Sequence, residues 1–317
     1  MAGPLPRLFL CCTGWLFFSC SMHPVIDAFR ANTPESYCVP TITYSFDPAT
    51  LPTENGDSLA MQDLSLRQVL SPHDILTANA IGVLPLIPDL LRVARDSSLQ
   101  GRLRYLELKT RVHDRFLSAG TEINSIASEL DCEGERADQL GAYLDNLNKK
   151  KSNALTAASI IAGAATTVGT VLAKGDNAKN TIAISGGLLS AGLTGFTISP
   201  RGKRIRLLHY RNLLEDIWYA PTSSAIYPPG IWYILREKAF SNGGQVSLLE
   251  SIRRRWTHFE LNGPIDSARQ NLLFKNGGIY TADDLHTRAS MLNQLQATIR
   301  SINEDLQGLI LSLDRIR

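Results

Sequence analysis

Six histidines and five cysteines stand among scattered carboxylates in a chain of 317 residues, and spacing decides what chemistry they can do. His23, His73, His113, His209, His258 and His286 lie far apart, with no HExxH pattern and no paired cysteine knuckle to complete a zinc set. A GxSxG nucleophile turn is absent, and Gly202-Lys203 runs into Arg204 without the upstream glycine of a phosphate loop. Asp131, Glu133 and Glu135 alternate around Cys132, and on a helix alternate residues face different ways. That placement suits solvation better than shared acid–base work. The sequence therefore predicts a non-enzymatic protein without cofactor or metal.

The cysteines divide by position. Arg7 precedes an apolar run from Leu8 to Ser19 that is too short to span a bilayer comfortably, so residues 1–19 read as a signal peptide. Its end, Leu16-Phe17-Phe18-Ser19-Cys20, resembles the lipobox of bacterial lipoproteins, although Phe18 is larger than the residue usual there. The resemblance implies a lipid on Cys20 and an exported protein held on an outer-membrane-facing or periplasm-facing surface. The same run would also serve as an ordinary cleaved signal, an uncleaved anchor or a buried helix. Cys38 and Cys132 remain, and they either pair as a disulfide or stay as two buried thiols.

Charge excludes some partners. With 32 Lys and Arg against 30 Asp and Glu, the formal +2 gives no global field for nucleic acid.

The elements that must position these residues are mostly helical. Residues 20–70 are rich in Pro, Thr, Ser and Asn and read as an extended tether or strap, with Thr41–Phe46 as a lone strand. Ser71-Pro72-His73-Asp74 opens a helix with an N-cap serine and a first-turn proline, and Pro85 and Pro88 break the chain before the next. Val112, Phe116, Ala119, Ile123, Ile126, Leu130, Ala137, Leu140, Leu144 and Leu147 then keep heptad spacing around one exception, Glu133. No proline stands between Leu103 and Ala173, so one long helix is expected, reversing at 174–180.

After Pro200, the stretch Ile205–Trp218 reads as an amphipathic helix. The aromatics that follow read as wedges on a helical core, and Arg253-Arg254-Arg255 as a solvated face. Over 281–317 a second heptad run from Leu285 to Ile316 closes the chain, with Arg288 out of character and Thr281 and Asp284 as its cap. The expected fold is mainly α: an elongated antiparallel helical bundle with a long helical hairpin and a small N-terminal strap. Residues 71–317 are read as one helical domain.

The hairpin 154–199 is the distinctive part. Ala154 to Ala173 is charge-free over about the 20 residues a bilayer core needs, and Thr181 to Ser199 matches it. Ala165, Gly169 and Ala173, and Gly187, Ala191 and Gly195, recur every four residues as in helix pairs that pack closely. Lys149, Lys150 and Lys151 before the first arm and Arg201, Lys203, Arg204 and Arg206 after the second form a basic collar. In an exported protein that collar would lie outside, against the positive-inside rule.

The hairpin is therefore expected to be a close-packed tip, covered by protein, that meets a membrane only after export. The function expected is a lipid-anchored cell-envelope protein presenting this tip to an envelope partner, a second copy or a membrane. The alternative is a membrane-inserting protein, whose general layout resembles α-helical pore-forming toxins.

Overall fold

A computed structural model describes residues 25–27, 38–40, 46–53, 64–197 and 202–315. The signal segment 1–19, Cys20, residues 41–45 of the expected strand and Arg201 lie outside the described residues. The chain is mainly α, and its contacts group it into two units. One takes Met1–Asp27 and Leu144–Arg206, the other Ala28–Tyr143 and Leu207–Arg317.

In chain order the elements are β1 (Val25–Asp27), α1 (Pro72–Ala80), α2 (Ile87–Val93), the 74-residue α3 (Leu99–Leu172) and α4 (Asp176–Thr197). There follow β2 (Arg204–Leu208), α5 (Pro229–Arg236), α6 (Leu248–Arg255), α7 (Ser267–Phe274), β3 (Gly277–Tyr280) and α8 (Ala282–Asp314). Helix α3 belongs to both units, passing from one to the other at Leu144.

In the larger unit the first half of α3 pairs with α8. Gln296 Nε2 donates to the Ala127 carbonyl at 3.2 Å and His286 Nδ1 meets Asp138 at 2.9 Å, so residue numbers rise on one helix as they fall on the other. The pair is antiparallel. Heptad residues fill the seam: Ile123, Ile126, Leu130 and Leu140 on α3 are buried with Leu285, Leu292, Leu295 and Ile299 on α8. Helix α1 lies on α8 and α5. Both α1 and α8 open with capping boxes, Ser71 with Asp74 and Thr281 with Asp284, which satisfy amide groups the first turn leaves unpaired.

The strap is fastened to this unit twice. Thr53 exchanges backbone hydrogen bonds with the Asn79 side chain at 3.1 and 3.0 Å, and Cys38 is disulfide-bonded to Cys132 with Cα atoms 5.7 Å apart.

The stretch read as a helix over Ile205–Trp218 is corrected. Arg204–Leu208 is a strand, exposed and buried in strict alternation with Ile205 and Leu207 inward, and helix returns only at Glu215–Tyr219. A period of two in Arg-Ile-Arg-Leu was the competing signal. Beside this strand, in the larger unit, Gly277 has φ +82°, and a Cβ there would stand 2.4 Å from the Leu207 carbonyl oxygen. Only glycine admits that approach. In the smaller unit β2 pairs in parallel with β1, Val25 to Asp27 opposite Arg204 to Arg206.

Candidate functional site

The two arms of the hairpin are the C-terminal part of α3 and the whole of α4, reversing through Gly175 at φ +106°. Their seam carries hydroxyls. Ser159 Oγ lies 3.1 Å from Ser190 Oγ and 3.0 Å from Thr194 Oγ1. A Cβ at Gly186 would sit 1.8 Å from Thr166 Oγ1, and one at Gly169 would sit 3.2 Å from Ile182 Cγ2. Glycine at those two positions is what lets the backbones meet.

The outside of the same hairpin is apolar. Ile160, Ile161, Val168, Val171, Leu172, Ile184, Leu188 and Leu189 are between 57% and 77% exposed. Helix α3 contains an 18-residue window of mean hydropathy 1.6, none of it buried, and is long and apolar enough to cross a membrane. Among the described residues these outer faces are exposed, where a protein-packed tip was expected. A water-soluble helix pair would keep most of these exposed aliphatics in its seam.

The small residues singled out by spacing divide between the two faces. Gly169 stands in the seam and Ala173 is half-buried, whereas Ala165 and Ala191 are exposed and a Cβ at Gly187 or Gly195 would meet no atom within 4 Å. The close approach runs instead through Gly186, one residue from the expected stripe. At the open end Lys149, Lys150, Lys151, Arg204 and Arg206 are exposed, and the Lys203 amide donates to Asn148 Oδ1 at 2.7 Å, drawing the two basic flanks together. The tip carries only Lys174, Asp176 and Lys179.

In the larger unit a second polar constellation is wholly internal. The two residues that broke the heptads are both buried: Glu133 pairs with buried Arg136 at 3.2 Å, and fully buried Arg288 donates to Asn212 Oδ1 at 3.1 Å and the Leu273 carbonyl at 2.9 Å. Asn212 Nδ2 also reaches the Leu273 and Lys275 carbonyls at 2.9 and 2.8 Å. Glu129, buried one turn before Glu133, meets Arg211 at 3.1 Å. Burial pushes its carboxyl up to about 7 despite Arg211, and the neighbouring Glu133 charge adds to the rise.

Burial, then Arg288 and Arg136, hold His209 well below its ordinary value, so it is neutral. Tyr280 gives its proton to the Leu272 carbonyl, which leaves its oxygen to accept from His209 Nε2 at 2.7 Å. Burial raises Tyr280 to about 12 and Tyr227, whose hydroxyl donates to the Leu213 carbonyl, well above the usual phenol range. These groups tie α3, α8 and the segment after β2 into one arrangement. Sequence reasoning missed the cluster, although the two heptad exceptions, Glu133 and Arg288, were its visible signal.

The aromatics behave as wedges in part: Tyr227, Trp232, Phe240 and Trp256 are buried, and Trp218 stacks on Phe274 with centroids 4.1 Å apart, while Phe259 stays 71% exposed. Arg253 and Arg254 line an open cavity of about 560 Å³, and Arg255 a separate one of about 460 Å³. Among the described residues no group of three or more His, Cys, Asp or Glu is arranged to hold a metal ion. No family model, no curated protein and no solved structure matches this chain.

Proposed function

We propose that this is an exported, non-enzymatic protein whose charge-free hairpin inserts in a lipid bilayer while the disulfide-fastened helical unit remains in water. One observation carries the reading: Ser159, Thr166 and Ser190 lie in the seam, while eight branched aliphatic side chains stand exposed on the outside. In water eight exposed aliphatic side chains forfeit on the order of 10 kcal/mol of burial. In hydrocarbon the same arrangement is favourable, because helices satisfy their own backbone and the hydroxyls satisfy each other.

Length and charge agree with this. Ala154 to Ala173 rises about 30 Å at helical pitch, the thickness of a hydrocarbon core. The lysines and arginines at the open end would meet lipid phosphates, and the weakly charged tip is the part that crosses. The Cys38–Cys132 bond fits an oxidising compartment, and a lipid on Cys20 would hold the chain beside its target. With the basic flanks on the exported side, insertion follows export rather than accompanying it.

The test uses protein carrying Cys20→Ser, so that no acyl chain contributes. It should co-sediment with phosphatidylcholine vesicles and resist carbonate extraction, and Leu188→Asp together with Val171→Asp should return it to the supernatant. Recovery of the Cys20→Ser protein in the supernatant would remove the reading.

A further inference from the structure

Helix α6 does not end cleanly: Trp256–Glu260 continues it as a single π-turn, closed by the Leu261 amide on the Trp256 carbonyl at 2.9 Å. One extra residue in a turn costs helix stability and is found most often where a side chain has to be re-aimed. Here buried Trp256 anchors the turn, and Asn262 just beyond it takes a left-handed backbone, φ +55°, that a residue with a side chain seldom adopts.

Beside this turn lies an open cavity of about 560 Å³, whose lining includes Trp218, Glu250, Arg253, Arg254, His258 and Asn262. Its chemistry is lopsided. Glu250 is its sole carboxylate and is shared by both cations, 2.9 Å from Arg254 Nε and 3.9 Å from Arg253 Nη1, so a net positive charge remains. Among the described residues no hydrogen bond occupies the terminal nitrogens of Arg254 or the side-chain amide of Asn262. Arg253 lies over the Trp218 ring, 5.9 Å from its centre, so a guanidinium and an aromatic wall meet in one place. Arg255, next in sequence, lines the other cavity.

We propose that this cavity binds a phosphate monoester, with the phosphate between Arg253 and Arg254 and the body of the ligand against Trp218. Two guanidinium forks match the several acceptor oxygens of a phosphate better than a single carboxylate. The monoester could be a free metabolite or a lipid headgroup, and the site stands independently of the hairpin.

Titration calorimetry of the full chain carrying Cys20→Ser, Val171→Asp and Leu188→Asp, the combination that removes its lipid and the hairpin's own membrane binding, uses phenyl phosphate as the soluble probe. In parallel, vesicles of phosphatidylcholine with and without phosphatidic acid present the same group on a lipid. Phenyl phosphate should bind, and Arg253→Gln with Arg254→Gln should weaken it by about tenfold or more, since charge-assisted bonds are lost. Retention on phosphatidic acid alone, lost in the same double variant, would support the site with a lipid as its source. Arg254 is 65% exposed at its side chain, so unchanged near-ultraviolet dichroism should confirm that the double variant folds. Binding of neither probe, or binding that the double variant leaves unchanged, overturns the proposal.

Discussion

Ser159 and Ser190 face each other across the hairpin with their hydroxyl oxygens 3.1 Å apart, while Ile160 and Leu189, their immediate chain neighbours, are 67% and 57% exposed. A step of one residue on a helix turns a side chain by about 100°, so the two arms place hydroxyl against hydroxyl and leave aliphatics outside. That relationship is the basis of the proposed insertion.

Two adjacent glycines should respond oppositely to the same change. Gly186→Leu forces a side chain into the space of Thr166, at a cost of about 1–3 kcal/mol for overpacking, and should splay the arms. Gly187→Leu projects into open space and should leave them closed. Spin-label distances between positions 164 and 188 should lengthen only in the first variant, and equal distances in both would be evidence against the seam.

The disulfide closes a loop with a sequence separation of 94, for which chain entropy gives about 4.7 kcal/mol of stabilisation. Cys38→Ala with Cys132→Ala should therefore lower the melting temperature of the helical unit by on the order of 10 °C. Calorimetry in the presence and absence of reductant reads this, and an unchanged melting point contradicts it.

Glu129 supplies a pH dependence with a definite sign. Its folded carboxyl titrates near 7, above the 4.5 of an exposed one, so the native state holds the extra proton between those values. Stability from this group falls as pH rises through that window, by up to about 1.4 kcal/mol per pH unit. Glu129→Gln cannot titrate, while Glu133, Arg136, Arg211, Asp216 and Tyr227 are common to both proteins. The stability of the variant relative to wild type should therefore climb from pH 4.5 to 7, and a flat difference would count against a buried carboxylate here.

Asn212 is the centre of the internal network, since its side chain serves two carbonyls, the Leu214 amide and Arg288. Asn212→Ala strands the Lys275 carbonyl and the Leu214 amide, while Arg288 and the Leu273 carbonyl keep each other, and by the cost of two buried unsatisfied groups should destabilise by about 2–4 kcal/mol. Urea unfolding would show it as a lower midpoint, and a loss under about 0.5 kcal/mol would mean that water replaces the amide.

How much of this was legible in the sequence varied with the kind of signal. Heptads, caps and the absence of proline are local and strong, and they placed α3, α8, the turn after Leu172 and the Thr281–Asp284 cap. Ile205–Trp218 was misread because its apolar residues fit a helical period from Leu208 onward, while the deciding alternation occupies only Arg204–Leu208. Arg288 and Glu133 were visible as exceptions, yet nothing local says that they are buried together with Asn212 and His209 from another segment. In the hairpin, small residues lie on every face, so spacing alone favoured Gly187, and only the placement of Ser159 against Ser190 reveals that Gly186 is the seam.

The central claim is insertion of the hairpin with its exposed aliphatic face, and depth-dependent quenching tests it most directly. Single cysteines carrying an environment-sensitive fluorophore at Val168 and Leu188, with Tyr210 in the helical unit as the control, are mixed with vesicles whose lipids carry bromine along the acyl chain. Fluorescence at Val168 and Leu188 should shift to the blue and be quenched by bromine near the bilayer centre, while the Tyr210 position stays unchanged and accessible to aqueous iodide. If Val168 and Leu188 instead remain open to iodide and untouched by bromine, the hairpin does not enter the bilayer and the account fails.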